Sequence, residues 1–312
     1  MQTPLPMENH VTSRRHFGAA AALLCATPGW AWGQSAKTNL WTEARWAPTL
    51  QALKALERRA QGRLGVQLVD ASGERSLGYR SDERFLMLSS FKTLSAAYVL
   101  ARHDRGEDHL ERRIPVTTAD LIPYAPVTEK HVGGPGLTLA ELCHATVTTS
   151  DNVAVNLMQR SYDGPPALTR FVRSLGDAVT RHDRLEPDLN EPDPTQALDT
   201  TTPRAMGTTL ARLLFGEVLS ETSRRQLQDW LLANTTGARR LRAGFPSGWQ
   251  VGEKTGTASR VGANDVGFVR PPMGTPVVVV AYLETTAVPM AQRDEAIAEV
   301  GQLVARWLQE TA

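Results

Sequence analysis

The sequence predicts an α+β fold: an antiparallel five-stranded sheet flanked by helices, with an all-helical lobe inserted. Three observations lead there. Strand signals sit near both ends of the chain, at 65–70 and 77–80 and again at 249–251, 265–269 and 277–283. Residues from about 117 to 220 show helical periods broken by Pro and Gly loops, with no strand run. The chain has 312 residues, 41% hydrophobic and 21% charged, enough for one large domain with a substantial core. Strands from both ends that bracket a helical insert imply one sheet built from distant segments. Helices pack on it, a second helical lobe hangs from it, and the cleft between the lobes is the natural site.

Each element has its own signal. Over 43–60, Leu50, Leu53, Leu56 and Ala60 recur at helical spacing. The alternation in 65–70, the turn at Ser72-Gly73 and the return at 77–80 read as a hairpin. Residues 91–102, rich in Ala and Leu, read as a buried helix. The stretch 184–203 carries Pro187, Pro192, Pro194 and Pro203 with little apolar period, so it is a long loop, and long loops inside compact domains usually serve function. The run 277–283 is a strand, and 289–309 closes the chain as an amphipathic helix.

The N-terminus reads as an export signal over residues 1–33. Ser13-Arg14-Arg15-His16-Phe17 precedes a short apolar stretch from Gly18 to Cys25, and Ala31-Trp32-Gly33 offers a cleavage site, so Gln34 starts the mature chain. The paired arginines before an aromatic suggest the twin-arginine route; an ordinary Sec signal is the alternative. Residues 34–312 then form a single catalytic domain, with the helical lobe at about 88–230. The expected location is the periplasm, without a membrane anchor. Cleavage removes Cys25 and leaves Cys143 alone, so no internal disulfide is expected, and Cys143 reads as a buried apolar filler. His131, His144 and His182 are isolated, so neither a metal nor another cofactor is expected. A net charge of +1 gives no reason to expect nucleic acid as a partner. A monomer is expected.

Three short motifs carry chemistry. Ser89-x-x-Lys92 opens a helix and puts two side chains on one face. A serine hydroxyl needs a neighbour to take its proton, and Lys92 can do so if burial lowers its pKa. Read blandly, the pair is a surface serine and lysine, but Leu86, Met87, Leu88 and Phe91 make the neighbourhood apolar. Ser150-Asp151-Asn152 lies between helical stretches. It is either a proton shuttle with an amide binder or simply the cap of the helix that follows. Lys254-Thr255-Gly256 follows a strand signal: Lys254 and Thr255 are donors for a carboxylate, and Gly256 lets substrate approach the backbone; otherwise it is a turn. Two of the chain's five lysines fall in these motifs. Alone, each is weak. Together, once each and in this order, they are the set found in class A β-lactamases and penicillin-binding proteins.

From about residue 40 to its C-terminus the chain closely resembles a class A serine β-lactamase, and hence the β-lactamase and penicillin-binding transpeptidase fold. The run Arg184-Leu185-Glu186-Pro187-Asp188-Leu189-Asn190 and the run Asp199-Thr200-Thr201-Thr202-Pro203 resemble the two ends of that family's omega loop, closed by an Arg184–Asp199 pair. The resemblance implies that Ser89 attacks a β-lactam carbonyl, with Lys92 or Glu186 taking its proton. Backbone N–H groups of Ser89 and Thr257 form the oxyanion hole, Ser150 protonates the ring nitrogen, and Glu186 with Asn190 holds the deacylating water. Lys254, Thr255 and Thr257 meet the substrate carboxylate beside Gly256, Asn152 takes the side-chain amide, and Tyr124 lines the entrance. The arginine that many members carry on the next strand is Ala263 here, so Arg240 is expected to serve the carboxylate, with Arg242 as the alternative.

The chain departs from the family in places. Leu198 precedes Asp199 where an Arg is usual, Ala96 stands where some members pair a cysteine with Cys143, and Leu88 and Ala258 are not the cysteines of well-known carbapenem-hydrolysing members. Two rival functions remain: a DD-peptidase, which would lack Glu186 in an omega loop, and a β-lactam sensor, which would stay acylated and carry an anchor.

Overall fold

The computed structural model describes residues 41–193 and 195–310; the export signal expected over residues 1–33 lies outside the described residues. The chain opens with helix α1 (Glu43–Ala60), strand β1 (Arg63–Asp70) and strand β2 (Ser76–Tyr79), as the hairpin reading requires. β3 (Phe85–Leu86) leads into a 3-10 turn, Leu88–Ser90, and helix α2 (Phe91–Asp104). Then come β4 (Arg113–Ile114), β5 (Leu137–Thr138), α3 (Leu139–Thr148), α4 (Asn152–Arg160), α5 (Pro165–Ser174), β6 (Thr200–Thr201), α6 (Pro203–Leu214) and α7 (Glu221–Leu232). The chain ends with α8 (Leu241–Gly244), β7 (Gln250–Ala258), β8 (Gly262–Arg270), β9 (Val277–Glu284) and α9 (Met290–Gln309). Among the described residues, no helix is long and apolar enough to cross a membrane.

The five long strands form one antiparallel sheet in the order β2-β1-β9-β8-β7, so both ends of the chain do meet in it. β9 shows why its run is apolar throughout. Val277, Val279, Ala281 and Leu283 face α1 and α9 and pack with Leu53, Leu56, Ile297 and Val304. Val278, Val280 and Tyr282 face the helical lobe, with Phe85, Phe91 and Leu210. A strand buried on both faces loses the alternation that marks a half-exposed one. Trp307 of α9 sits edge-on to Trp41 and Trp46, with ring centroids 5.1 and 5.8 Å away, and locks the terminal helices together.

Two local readings change. The insert is not wholly helical: β3 pairs with β6 and β4 with β5, as two-residue ladders too short to leave a sequence period. The last strands are longer than predicted. β7 runs through Lys254-Thr255-Gly256, so that motif is strand and not a turn. Its Gly, Thr and charged residues hide a strand that β8 pairs along its whole length.

Beneath β7 and β8 two carboxyls are buried together. Glu253 and Asp265 are both fully enclosed. Asp265 accepts the Leu241 N–H at 3.1 Å and Glu253 the Arg242 N–H at 3.2 Å. Burial, and then the neighbouring Asp265, push Glu253 well above the usual carboxylate range; burial pushes Asp265 up as well. A carboxyl raised in the folded state contributes most below its unfolded pKa. That contribution is lost as pH rises toward the folded value, because only the unfolded chain has released the proton. Glu253→Gln keeps an acceptor for the Arg242 N–H and a donor toward Asp265, and removes the titration. Its thermal and urea unfolding should therefore show a gain over wild type of about 1–3 kcal/mol at pH 8 and little gain at pH 5. Equal effects at both pH values would mean that Glu253 holds no proton in the fold.

Candidate active site

Ser89 sits in the 3-10 turn that feeds α2, and Lys92 sits in the first turn of that helix. Leu88, just before the nucleophile, is in the left-handed region at φ 47°, as are Tyr124 at 68° and Ser150 at 63°. Non-glycine residues pay strain there and cluster at functional sites. The turn is pinned from the sheet side. Asn264 of β8 donates to the carbonyls of Leu86 and Met87 at 2.9 and 3.1 Å. A Cβ on Gly256 would lie 2.9 Å from the Leu88 Cβ and 3.1 Å from the Ser89 nitrogen. Gly256 therefore admits the nucleophile's own turn against β7, where the sequence reading had it admit substrate.

Around Ser89 the charged groups converge. Its hydroxyl donates to Glu186 Oε1 at 3.2 Å, and Lys92 Nζ lies 3.1 Å from the same oxygen. The expected Ser89–Lys92 link thus runs through the carboxylate. Lys92 Nζ also donates to the Ser150 carbonyl at 2.7 Å and to Asn152 Oδ1 at 2.6 Å. Ser150 Oγ stands between two ammonium groups, 3.3 Å from Lys92 and 2.9 Å from Lys254. Both lysines are fully buried. Desolvation pulls Lys92 below its ordinary value, against the raising effect of Glu186. Desolvation and then the charge of Lys92 pull Lys254 well below its own. A lysine so depressed can exchange a proton with a hydroxyl beside it.

Glu186 is held on every side. Asn190 donates to its Oε2 at 2.7 Å. Asn156 of α4 grips its backbone in both directions, donating to the Glu186 carbonyl at 2.9 Å and accepting its N–H at 3.1 Å. Sequence reasoning missed Asn156, although it lies four residues after Asn152 and so on the same helix face. The loop closes through Arg184 Nε to Asp199 Oδ2 at 2.7 Å, with Leu198 in place beside it. Asp199 is fully buried, and also accepts the N–H groups of Asp183 and Arg184.

Asp151 shows that the two readings of its triplet are compatible. Its carboxylate caps α4 through the Ala154 N–H at 2.8 Å. It also accepts the N–H groups of Val127 and Thr128, which fixes the loop that carries Tyr124. Ser150 and Asn152, on either side, are left to face the cleft.

The cleft encloses about 600 Å³. Ser89, Tyr124, Ser150, Asn152, Glu186 and Asn190 line one side; Thr255 and Thr257 line the other. Thr235 and Thr236 line it too, and sequence reasoning missed both because they sit in a plain loop ahead of the motif strand, with no pattern of their own. Arg240 is placed one layer back from the cleft. Its guanidinium is buried behind β7, donating to Asp294, to the carbonyls of Gly256 and Asn264, and to Thr257 Oγ1 at 2.8 Å. Of its partners, Thr257 lines the cleft, so the guanidinium adjoins the cleft through that hydroxyl. Arg242 is committed to Glu253 and to three backbone carbonyls. Lys254 faces Ser150 in place of the open cleft. Cys143 is buried in the core of the helical lobe, and burial raises its thiol. Among the described residues, no group of three His, Cys, Asp or Glu side chains could hold a metal ion.

Residues 48–308 match the model of the β-lactamase enzyme family. The chain is 46% identical over 267 residues to β-lactamase L2 of Stenotrophomonas maltophilia, covering 83% of this chain and 88% of that one. It is 45% identical over 263 residues to a β-lactamase of Streptomyces albus G, covering 82% and 83%. Among solved structures, an ancestral class A β-lactamase superposes with a TM-score of 0.80 at 53% identity, covering 83% of this chain and 99% of that one. A β-lactamase from Xanthomonas campestris does so at 0.80 and 44%, covering 85% and 97%. A serine, a buried lysine pair and a carboxylate clamped over them thus sit on a shared fold, and the chain belongs to the β-lactamase enzyme family, in class A.

Proposed function

We propose that the protein hydrolyses the β-lactam amide of penicillins and cephalosporins through an acyl-enzyme on Ser89. The observation that carries this reading is the Glu186 carboxylate, buried and 3.2 Å from the Ser89 hydroxyl. Ser89 Oγ bonds to the lactam carbonyl carbon and gives up its proton to Glu186 or to Lys92, which share one contact. The backbone N–H groups of Ser89 and Thr257 receive the oxyanion. The C–N bond then breaks, and the ring nitrogen takes a proton from Ser150, which the buried Lys254 replenishes. Water attacks the ester next. Glu186 removes its proton, Asn190 orients it, and Ser89 leaves with a proton returned. Thr255 and Thr257 meet the substrate carboxylate, with the Arg240 charge behind Thr257. Asn152 takes the side-chain amide and Tyr124 borders the entrance.

Export belongs to the same reading. Residues 1–33 serve as the signal, read by the twin-arginine or Sec machinery, and residues 34–312 work as one catalytic domain, a monomer in the periplasm. The paired Arg14 and Arg15 before Phe17 support it.

The test uses the mature protein purified from the periplasm. It should hydrolyse benzylpenicillin and a chromogenic cephalosporin, unaffected by a chelator. Its mass should correspond to a start at Gln34, with no adduct at steady state. A persistent penicillin adduct on the wild type would instead indicate a penicillin-binding target or a sensor. Loss of activity with the chelator would overturn the serine mechanism.

A further inference from the structure

Thr236, missed by sequence reasoning, and Thr255, a motif residue, share a hydroxyl contact with a definite proton count. Thr236 Oγ1 lies 2.5 Å from Thr255 Oγ1, and it also reaches Asn234 Oδ1 at 3.0 Å. Asn234 is buried, and its amide nitrogen donates to the Val147 carbonyl at 2.8 Å, which fixes which way the amide faces. Its oxygen already accepts the N–H groups of Thr236 and Gly237, at 2.7 and 3.1 Å. Thr236 has one proton and two acceptors. When it donates to Asn234, the Thr255 proton points at Thr236. When it donates to Thr255, the Thr255 proton is free to point into the cleft. Asn234 loses nothing by the second arrangement, because two N–H donors still satisfy its oxygen.

We propose that Thr236 is a positioning residue for substrate specificity: it hands its proton to Thr255 so that Thr255 donates to the carboxylate of a β-lactam. The inference rests on the reading that Thr255 meets that carboxylate. A hydroxyl that accepts one hydrogen bond donates a stronger one; without Thr236 the Thr255 oxygen would accept none, and its donor to the carboxylate would be weaker and free to turn away.

Benzylpenicillin and its methyl ester, which lacks the negative charge, test this on wild type and on Thr236→Val, Thr236→Ala and Thr236→Ser. The readout is the ratio of kcat/KM for acid over ester. Wild type should prefer the acid. Thr236→Val and Thr236→Ala should lower that ratio by about three- to tenfold, through KM for the acid with kcat held, and Thr236→Ser should restore it. A wild type with no preference for the acid would overturn the carboxylate reading, and the role of Thr236 with it. A wild-type preference that survives intact in Thr236→Val and Thr236→Ala would overturn the role of Thr236 alone. So would an equal fall for acid and ester, the mark of a purely structural residue.

Discussion

Glu186→Ala mixed with benzylpenicillin should accumulate one intact penicillin on Ser89, visible as a stable mass adduct. The carboxylate touches Ser89 at 3.2 Å, so its loss slows acylation; Lys92, fully buried and depressed by desolvation, remains as a base for that step. Deacylation has no such substitute. Asn190 holds Glu186 Oε2 and can orient a water, but an amide cannot take its proton. Loss of general-base help costs about 10²–10⁴-fold in rate, which is enough to make the ester the dominant species during an assay. Turnover at the wild-type rate would reduce Glu186 to a structural acid of the loop.

Ser89→Ala should abolish hydrolysis, with a fall of about 10⁴-fold or more and no adduct at any time. The surroundings do not depend on the hydroxyl. Lys92 keeps its contacts with Ser150, Asn152 and Glu186, and Asn264 still pins the turn through backbone carbonyls. The variant should therefore fold and still bind benzylpenicillin, measurable by calorimetry. Residual hydrolysis within tenfold of wild type would mean that water, activated by Glu186, attacks the lactam directly. The pair of variants separates the two halves of the reaction: one stops before the ester, the other after it.

Much of this site could be read from the chain alone. Ser89, Lys92, Ser150, Glu186 and Lys254 stand in short motifs, and each residue type is tied to a task that few others perform. The sheet could also be read, because alternation at 65–70 and the apolar run at 277–283 are periods of two or of full burial, set by neighbours a few residues away. The Arg184–Asp199 closure was implied by the resemblance of the two ends of this proline-rich loop to the family's omega loop, and not by any period in the chain.

What the sequence determined is the inventory and the local frame: the nucleophile, its bases, the loop that carries the carboxylate, and strands at both ends with helices between. What only the tertiary structure decided is which face of a strand each side chain meets. β7 continues through Lys254-Thr255-Gly256 because β8 pairs with it, and Arg240 lies behind that strand because Asp294 of α9 holds it there. Gly256 serves the approach of the Ser89 turn, Asn156 clamps the Glu186 loop from helix α4, and Thr236 meets Thr255 across 19 positions of sequence. Such contacts leave no period, since the spacing of partners on different elements is set by loop lengths and packing and not by the backbone repeat of either element.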